Sequence, residues 1–218
     1  DFAHGITGFS EVHVIERKIN YGGTRNSFLA YSEIIERFGR SIYLEDDIQC
    51  APGFLTFVNE ALNFYKDDKR IVSIAGYKPP FSVPRVLVGD VFVLGRVNGW
   101  GMGSFERTLE MARSPINRKE FESAEDKTIF TSNGKDVLQM IERELAGATD
   151  AGDVRCMYQQ AINETLTVYP RVPLTRNNGT DGTGVHSGTT TKFDVGRLWE
   201  KTGNFEFTEN IVVDSRIQ

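Results

Sequence analysis

The order of predicted elements in the first third of the chain constrains the fold most. Residues 11–16 alternate and are rich in β-branched side chains, which predicts a strand. A glycine turn over 20–24 and a helical pattern over 25–38 follow, and the helix is expected to end at Gly39. Residues 41–44 then predict a short buried strand. This strand–turn–helix–strand order is typical of α/β folds with parallel strands.

The rest of the chain continues to give predicted helices and strands, and every stretch that could be a linker between domains is short. The sequence therefore predicts one α/β domain over residues 1–218. A stretch rich in Gly, Thr, Ser and Asn, residues 177–191, predicts a loop with enough glycine to fold over a ligand. Helices are predicted over 52–65, 104–112, 135–145 and 153–163, and strands over 71–75, 86–94 and 166–169.

Charge and composition argue against several classes of protein. The net charge is −5 over 218 residues, whereas a broad phosphate-binding footprint needs a basic surface, so a general nucleic-acid binder is not expected. No apolar run approaches the roughly 20 residues that a membrane helix needs. Two cysteines, Cys50 and Cys156, are too few for a disulfide framework or a thiolate zinc site.

Three consecutive carboxylates, Glu45, Asp46 and Asp47, follow the predicted buried strand directly. In an open α/β sheet, ligands bind beyond the carboxyl ends of the strands. Mg²⁺ or Mn²⁺ commonly bridges a protein carboxylate and a substrate phosphate. One interpretation is therefore a metal that carries a diphosphate. The alternative is a capping cluster for the helix that begins near Pro52, or a solvated turn, and the position after a buried strand favours the metal.

Four motifs in order, YLEDDIQCAPGF, VSIAGY, GWGMGSF and NNGTDGTGVHSG, resemble nucleotide-sugar glycosyltransferases of the GT-A fold. The likeness is to the β-1,2-N-acetylglucosaminyltransferase I family and to bacterial sugar transferases that share its pattern. It implies a Rossmann-like fold with a mixed, mostly parallel sheet flanked by helices. It also implies that the N-terminal βα units of such a domain are lacking here, which would expose sheet edges and favour self-association.

The resemblance assigns roles to several polar residues. Asp47 would bind Mn²⁺ (or Mg²⁺) held by the donor's diphosphate, and His186 would touch the metal or the diphosphate. Asp46 would lie near the donor ribose or sugar, and Glu45 would hold the site together from behind. Arg25, at a predicted helix start, would face the pyrophosphate or the carboxylates; the alternative is an ordinary surface arginine.

Three further residues complete the expected site. Trp100 lies between glycines in the segment that lines the sugar pocket of the family, where an aromatic face suits the C–H face of a sugar; the alternative is a core tryptophan. Asp150 and Asp153 are candidates for the general base of an inverting transfer. Asp150 fits the register slightly better, and either residue could instead cap a helix or complement its dipole. Asp181 would help to shape the loop that carries His186.

The resemblance thus implies a metal-dependent, inverting hexosyl- or N-acetylhexosaminyltransferase. Its donor would be a nucleotide-diphosphate sugar, most simply UDP-linked, and its acceptor a hydroxyl of a carbohydrate or glycoconjugate. A cytoplasmic location is expected for a bacterial enzyme and the Golgi lumen for a eukaryotic one. Two alternatives remain open: a sugar nucleotidyltransferase on a similar core, and a non-catalytic carbohydrate- or metal-binding relative.

Overall fold

A computed structural model describes residues 2–84, 89–124, 127–180, 182 and 188–213. After a 3₁₀ turn at Ala3–Gly5, the described chain forms helices and strands, with five helices in succession from residue 106 to residue 163. In chain order they are α1 (Gly23–Phe38), β1 (Arg40–Tyr43), β2 (Ile48–Cys50), α2 (Phe54–Phe64), β3 (Ile71–Ala75), β4 (Val91–Leu94), β5 (Met102–Phe105), α3 (Glu106–Arg113), α4 (Arg118–Ser123), α5 (Thr128–Thr131), α6 (Val137–Leu145), α7 (Gly152–Asn163), β6 (Leu166–Pro170) and β7 (Thr175–Asn177).

The main sheet has five strands in the order β1-β5-β3-β6-β4. Only β3 and β6 pair in parallel, and the other three pairs are antiparallel. The α/β class is confirmed, but the expectation of a mostly parallel sheet is wrong. The difference arises because β5 forms from the glycine-rich segment, where a helix was predicted to begin at Ser104, and inserts between β1 and β3.

The directions of the strands decide what meets at each edge of the sheet. Since β1 and β3 are both antiparallel to β5, and β6 is parallel to β3, these three strands run the same way. Their carboxyl ends therefore lie at the same edge as the amino end of β5. Tyr43, at the end of β1, pairs with Met102, at the start of β5. The acidic triplet and Trp100 are consequently neighbours, although 52 residues lie between Asp47 and Trp100.

Both faces of the sheet are covered, which explains why β3 and β4 are buried along their whole length rather than alternating. On one face α2 buries an apolar stripe that includes Phe54, Phe57 and Leu62. On the other face α3, α6 and α7 enclose a second cluster around Phe130, Ile141 and Tyr158. Helix α1 ends at Gly39, which adopts a left-handed conformation with φ of 71°.

Several helices and strands differ from those predicted from the sequence. Residues 11–16 have no strand partner among the described residues, and Val12 and Ile15 stay exposed, so the predicted strand is wrong. An alternating pattern forms a strand only where a neighbour satisfies its backbone groups. The predicted strand 86–94 is confirmed only as β4, since residues 85–88 lie outside the described part. Helix α3 begins at Glu106 because the preceding residues belong to β5.

The segment 188–213 has no regular secondary structure and crosses back over the fold. Phe205 is buried against Phe57, with ring centroids 5.1 Å apart. The Tyr65 hydroxyl donates to the carbonyl of Thr208 at 3.0 Å. Among the residues that the structure describes, no helix combines the length and apolar character needed to cross a membrane.

Candidate functional site

A cleft of about 720 Å³ opens at the edge of the sheet where β1 ends. One wall is α1, and the opposite side is formed by Trp100 and by Asn177 and Gly179 after β7. All three residues of the acidic triplet line it. The sequence places the carboxylates here because β1 ends at Tyr43, two residues before Glu45. The prediction that this strand is buried holds only for Ser41, since Arg40 is exposed and Ile42 and Tyr43 are half-buried.

Asp47 is held by its backbone and leaves its carboxylate free. Its carbonyl accepts a hydrogen bond from the Asn178 N–H at 2.9 Å, which continues the β2–β7 pairing. Its Oδ2 faces Gly179, where a Cβ would stand 2.1 Å from that oxygen. Its Oδ1 is buried and has no hydrogen-bond partner among the described residues. A buried carboxylate oxygen without a donor is suited to a cation.

Glu45 and Asp46 differ in their surroundings. The Tyr43 hydroxyl donates to Glu45 Oε1 at 3.1 Å and lies 3.4 Å from Ser27 Oγ in α1. Burial raises the pKa of Glu45, the Tyr43 hydrogen bond opposes this, and the negative charges of the neighbouring carboxylates raise it further. Asp46 is exposed on the wall of the cleft. Of Glu45 and Asp46, Glu45 is therefore the one held by a side-chain hydrogen bond.

Asp153 lies in the first turn of α7 and faces the triplet. Its Oδ1 accepts a hydrogen bond from the Val154 N–H at 2.9 Å. Water reaches the side chain, but protein surrounds it on most sides, and this desolvation raises its pKa. Its charge is close enough to contribute to the raised pKa values of both Tyr43 and Glu45. The structure thus brings the Asp153 carboxylate close enough to the cleft to interact electrostatically with Tyr43 and Glu45.

Asp150 is arranged differently. Its backbone carbonyl accepts from Thr24 Oγ1 at 3.3 Å, so the residue lies beside the start of α1. Its side chain turns to Arg155, whose Nη1 is 2.8 Å from Asp150 Oδ1. One oxygen of the Asp150 carboxylate is thus occupied by the Arg155 guanidinium. Of the two candidate bases, Asp153 is the one with a free carboxylate near the triplet.

Trp100 lines the cleft between two other aromatic rings. The Tyr77 ring lies 4.8 Å away at 82° and the Phe193 ring 5.4 Å away at 81°. The buried Tyr77 hydroxyl donates to the Phe193 carbonyl at 3.1 Å. Thr175 Oγ1 donates to the Trp100 carbonyl at 2.6 Å. Sequence reasoning missed Phe193 and Tyr77; the only signal was an aromatic residue shortly after the glycine-rich loop.

Of the remaining predicted residues, Arg25 is described by the structure and is not brought to the cleft. Arg25 is exposed and lies over the Tyr21 ring at 4.5 Å, away from the face of α1 that lines the cleft. That face carries residues spaced three or four apart, which excludes position 25. The lining positions of α1 are Gly23, Asn26, Ser27, Ala30, Tyr31 and Ile34. His186 and Asp181 lie outside the described residues.

Within the described ranges, no group of three or more His, Cys, Asp or Glu side chains could hold a metal by itself. A cation at Asp47 would therefore need ligands in addition to the described carboxylates, such as oxygen atoms of a substrate or of water. Mg²⁺ is commonly bound in this way, by one or two carboxylates together with substrate phosphates. The single free carboxylate oxygen of Asp47 fits that arrangement.

No protein-family model matches this chain, and the search of curated proteins found no significant match.

Proposed function

We propose that this protein is a metal-dependent, inverting glycosyltransferase of the GT-A type. It moves a sugar from a nucleotide-diphosphate donor, UDP-linked in the simplest case, to a hydroxyl of a carbohydrate or glycoconjugate. The observation that carries this proposal is the buried, unpartnered Oδ1 of Asp47 in a cleft that also presents Trp100 and lies beside Asp153.

Asp47 is the protein ligand for Mn²⁺ or Mg²⁺. When bound, the cation offsets the charge that develops on the leaving diphosphate. Gly179 and the Asn178 N–H fix the position of Asp47, while the Tyr43 hydroxyl holds Glu45 behind it. The role of the triplet is therefore to orient one carboxylate oxygen towards the donor.

Asp153 accepts the proton of the acceptor hydroxyl as that oxygen attacks the anomeric carbon. A general base works best when its pKa approaches the working pH, and desolvation moves the pKa of Asp153 in that direction. Trp100 offers its face to the apolar side of the sugar, and the Tyr77 and Phe193 rings, both nearly perpendicular to the indole, hold it in place.

The proposal is tested by calorimetric titration of UDP with Mn²⁺ and then with EDTA. Wild-type protein is compared with Asp47→Asn, which keeps the shape of the side chain, and with Asp67→Asn, an exposed aspartate outside the cleft, as the matched control. We expect metal-dependent binding that is lost in Asp47→Asn and retained in Asp67→Asn. Metal-independent binding of UDP, or none in any variant, would overturn the proposal.

A second measurement identifies the reaction. A panel of nucleotide sugars is incubated with oligosaccharide acceptors, and the released phosphate species are analysed. Nucleoside diphosphate release that requires both acceptor and metal supports glycosyl transfer. Pyrophosphate release instead would mean nucleotidyl transfer, and sugar binding without any turnover would mean a non-catalytic carbohydrate-binding protein.

A further inference from the structure

The loop between α6 and α7 is fixed by one buried carboxylate, Glu144. The Glu144 side chain is only 9% exposed. Its Oε2 accepts hydrogen bonds from the Ala151 N–H at 3.0 Å and from Thr149 Oγ1 at 3.1 Å. These two donors lie directly before the first turn of α7, which carries Asp153.

Arg155 joins the same network from the other side of Asp153. Its Nη1 donates to Glu144 Oε1 at 2.5 Å and to Asp150 Oδ1 at 2.8 Å. Its Nε donates to the Ala112 carbonyl of α3 at 2.6 Å. The side chain is 16% exposed. Hydrogen bonds from one ion pair therefore hold the chain on both sides of Asp153.

A buried ion pair of this kind contributes little to stability by itself. Desolvation of the two charges roughly cancels their attraction, and well-packed apolar residues often serve as well or better. Where a buried ion pair adds no stability, the hypothesis is that it fixes the local geometry of the chain. Here that geometry concerns the start of α7, and neither Glu144 nor Arg155 lines the cleft.

We infer that Glu144 and Arg155 are positioning residues, which hold the first turn of α7 so that the Asp153 carboxylate meets the acceptor hydroxyl. The inference rests on the proposed function for the role of Asp153. Displacing a reacting group by about 1 Å can lower a rate roughly a hundredfold, so modest movement of this turn would be visible in kcat.

The network also acts on Asp153 through charge. The charged and titratable groups that face Asp153 are Arg96, Glu144, Glu45, Tyr43 and Cys156. Arg96 lowers the pKa of Asp153 and Glu144 raises it, although desolvation is the largest cause of its shift. Removing the charge of Glu144 should therefore lower the pKa of Asp153, a change that loosened packing alone would not predict.

The test compares Glu144→Gln with Glu36→Gln. Glu36 forms an exposed ion pair with Arg113 at 2.9 Å and serves as the matched control. We expect Glu144→Gln to lower kcat by about tenfold to a hundredfold with little change in the donor KM, and to move the acid limb of the pH profile to lower pH. Glu36→Gln should leave all three quantities unchanged.

A milder variant covers the case in which Glu144→Gln fails to fold. Thr149→Val removes one hydrogen bond to Glu144 and keeps the ion pair, so kcat should fall by a smaller factor at an unchanged donor KM. Wild-type kcat and pH profile in a folded Glu144→Gln or Thr149→Val protein would overturn the inference.

Hydrogen exchange keeps this inference separate from the proposed function. If the wild-type protein transfers no sugar, the proposed function fails, but positioning is still measured at the amides of residues 151–154. At least tenfold faster exchange in Glu144→Gln or Thr149→Val than in Glu36→Gln supports positioning of this turn. Equal protection in these proteins would overturn it.

Discussion

Gly179 lies against the carboxylate of Asp47, so close that a Cβ at position 179 would stand 2.1 Å from Oδ2. Gly179 follows β7 and Asp47 directly precedes β2, the strand that pairs with β7. The Asn178 N–H donates a hydrogen bond to the Asp47 carbonyl and holds the two segments together. Any side chain at 179 must therefore push the carboxylate away. This contact makes the chain after β7 part of the proposed metal site.

Gly179→Ala should weaken metal-dependent UDP binding by about tenfold or more, because the Cβ displaces the carboxylate that would hold the cation. The measurement is calorimetric titration of UDP in the presence of Mn²⁺. Gly203→Ala is the control, since a Cβ at 203 meets no described atom within 4 Å. Unchanged affinity in Gly179→Ala would show that the Asp47 carboxylate does not bind the metal–diphosphate group.

Asp153→Asn should lower kcat by about 10²–10⁴-fold and leave UDP affinity nearly unchanged, because the amide cannot accept the acceptor proton. Asp150→Asn should have a much smaller effect, since that carboxylate is already paired with Arg155. Steady-state kinetics with a saturating donor check both. A larger loss in Asp150→Asn would transfer the role of base to Asp150.

Asp153→Asn should also raise the stability of the folded protein at neutral pH. The pKa of Asp153 is higher in the folded than in the unfolded chain, so the ionised form is disfavoured on folding. Its favourable contribution is present below the unfolded pKa, near 3.8, and is lost as the pH rises through the higher folded value. Chemical denaturation should therefore find Asp153→Asn more stable than wild type at pH 7, with the difference closing towards pH 3. Lower stability of the variant at pH 7 would contradict the raised pKa.

The elements that could be predicted from sequence are those with a strong local pattern. Helices α1, α2, α6 and α7 and the buried strand β3 appear where apolar periodicity placed them. The three-residue strands β2 and β7 are too short to show any period, and β5 contains Gly103, which weakens a strand signal. Their pairing depends on neighbours that are distant in sequence.

The residues of the candidate site fall into the same two groups, those with a local sequence signal and those without one. The triplet could be chosen because it follows a predicted strand, and Trp100 because it lies between glycines in the segment that the resemblance assigns to the sugar pocket. Gly179, Phe193 and Glu144 were missed, because their importance comes only from what they touch across the fold: Asp47, Trp100 and Arg155 respectively. Arg25 was chosen for its position at a helix start, but the helical period turns it towards Tyr21.

The aromatic wall of the cleft leads to the last prediction. Phe193 is 38% exposed and meets the edge of Trp100, while Tyr77 holds its backbone. Removing the ring in Phe193→Ala should free the indole and weaken sugar binding about two- to twelvefold, the range expected for one aromatic contact of about 0.5–1.5 kcal/mol.

The readout for Phe193→Ala is the KM for the acceptor and the affinity for the sugar-linked donor, each compared with the affinity for UDP alone. UDP binding should not change, because Phe193 contacts Trp100 rather than the carboxylates. Phe38→Ala removes an exposed ring at the far end of α1 and should change none of these values. If Phe193→Ala weakens the affinity for UDP and for the sugar-linked donor equally, the ring supports the whole cleft. That result would contradict a specific role of Phe193 in sugar binding.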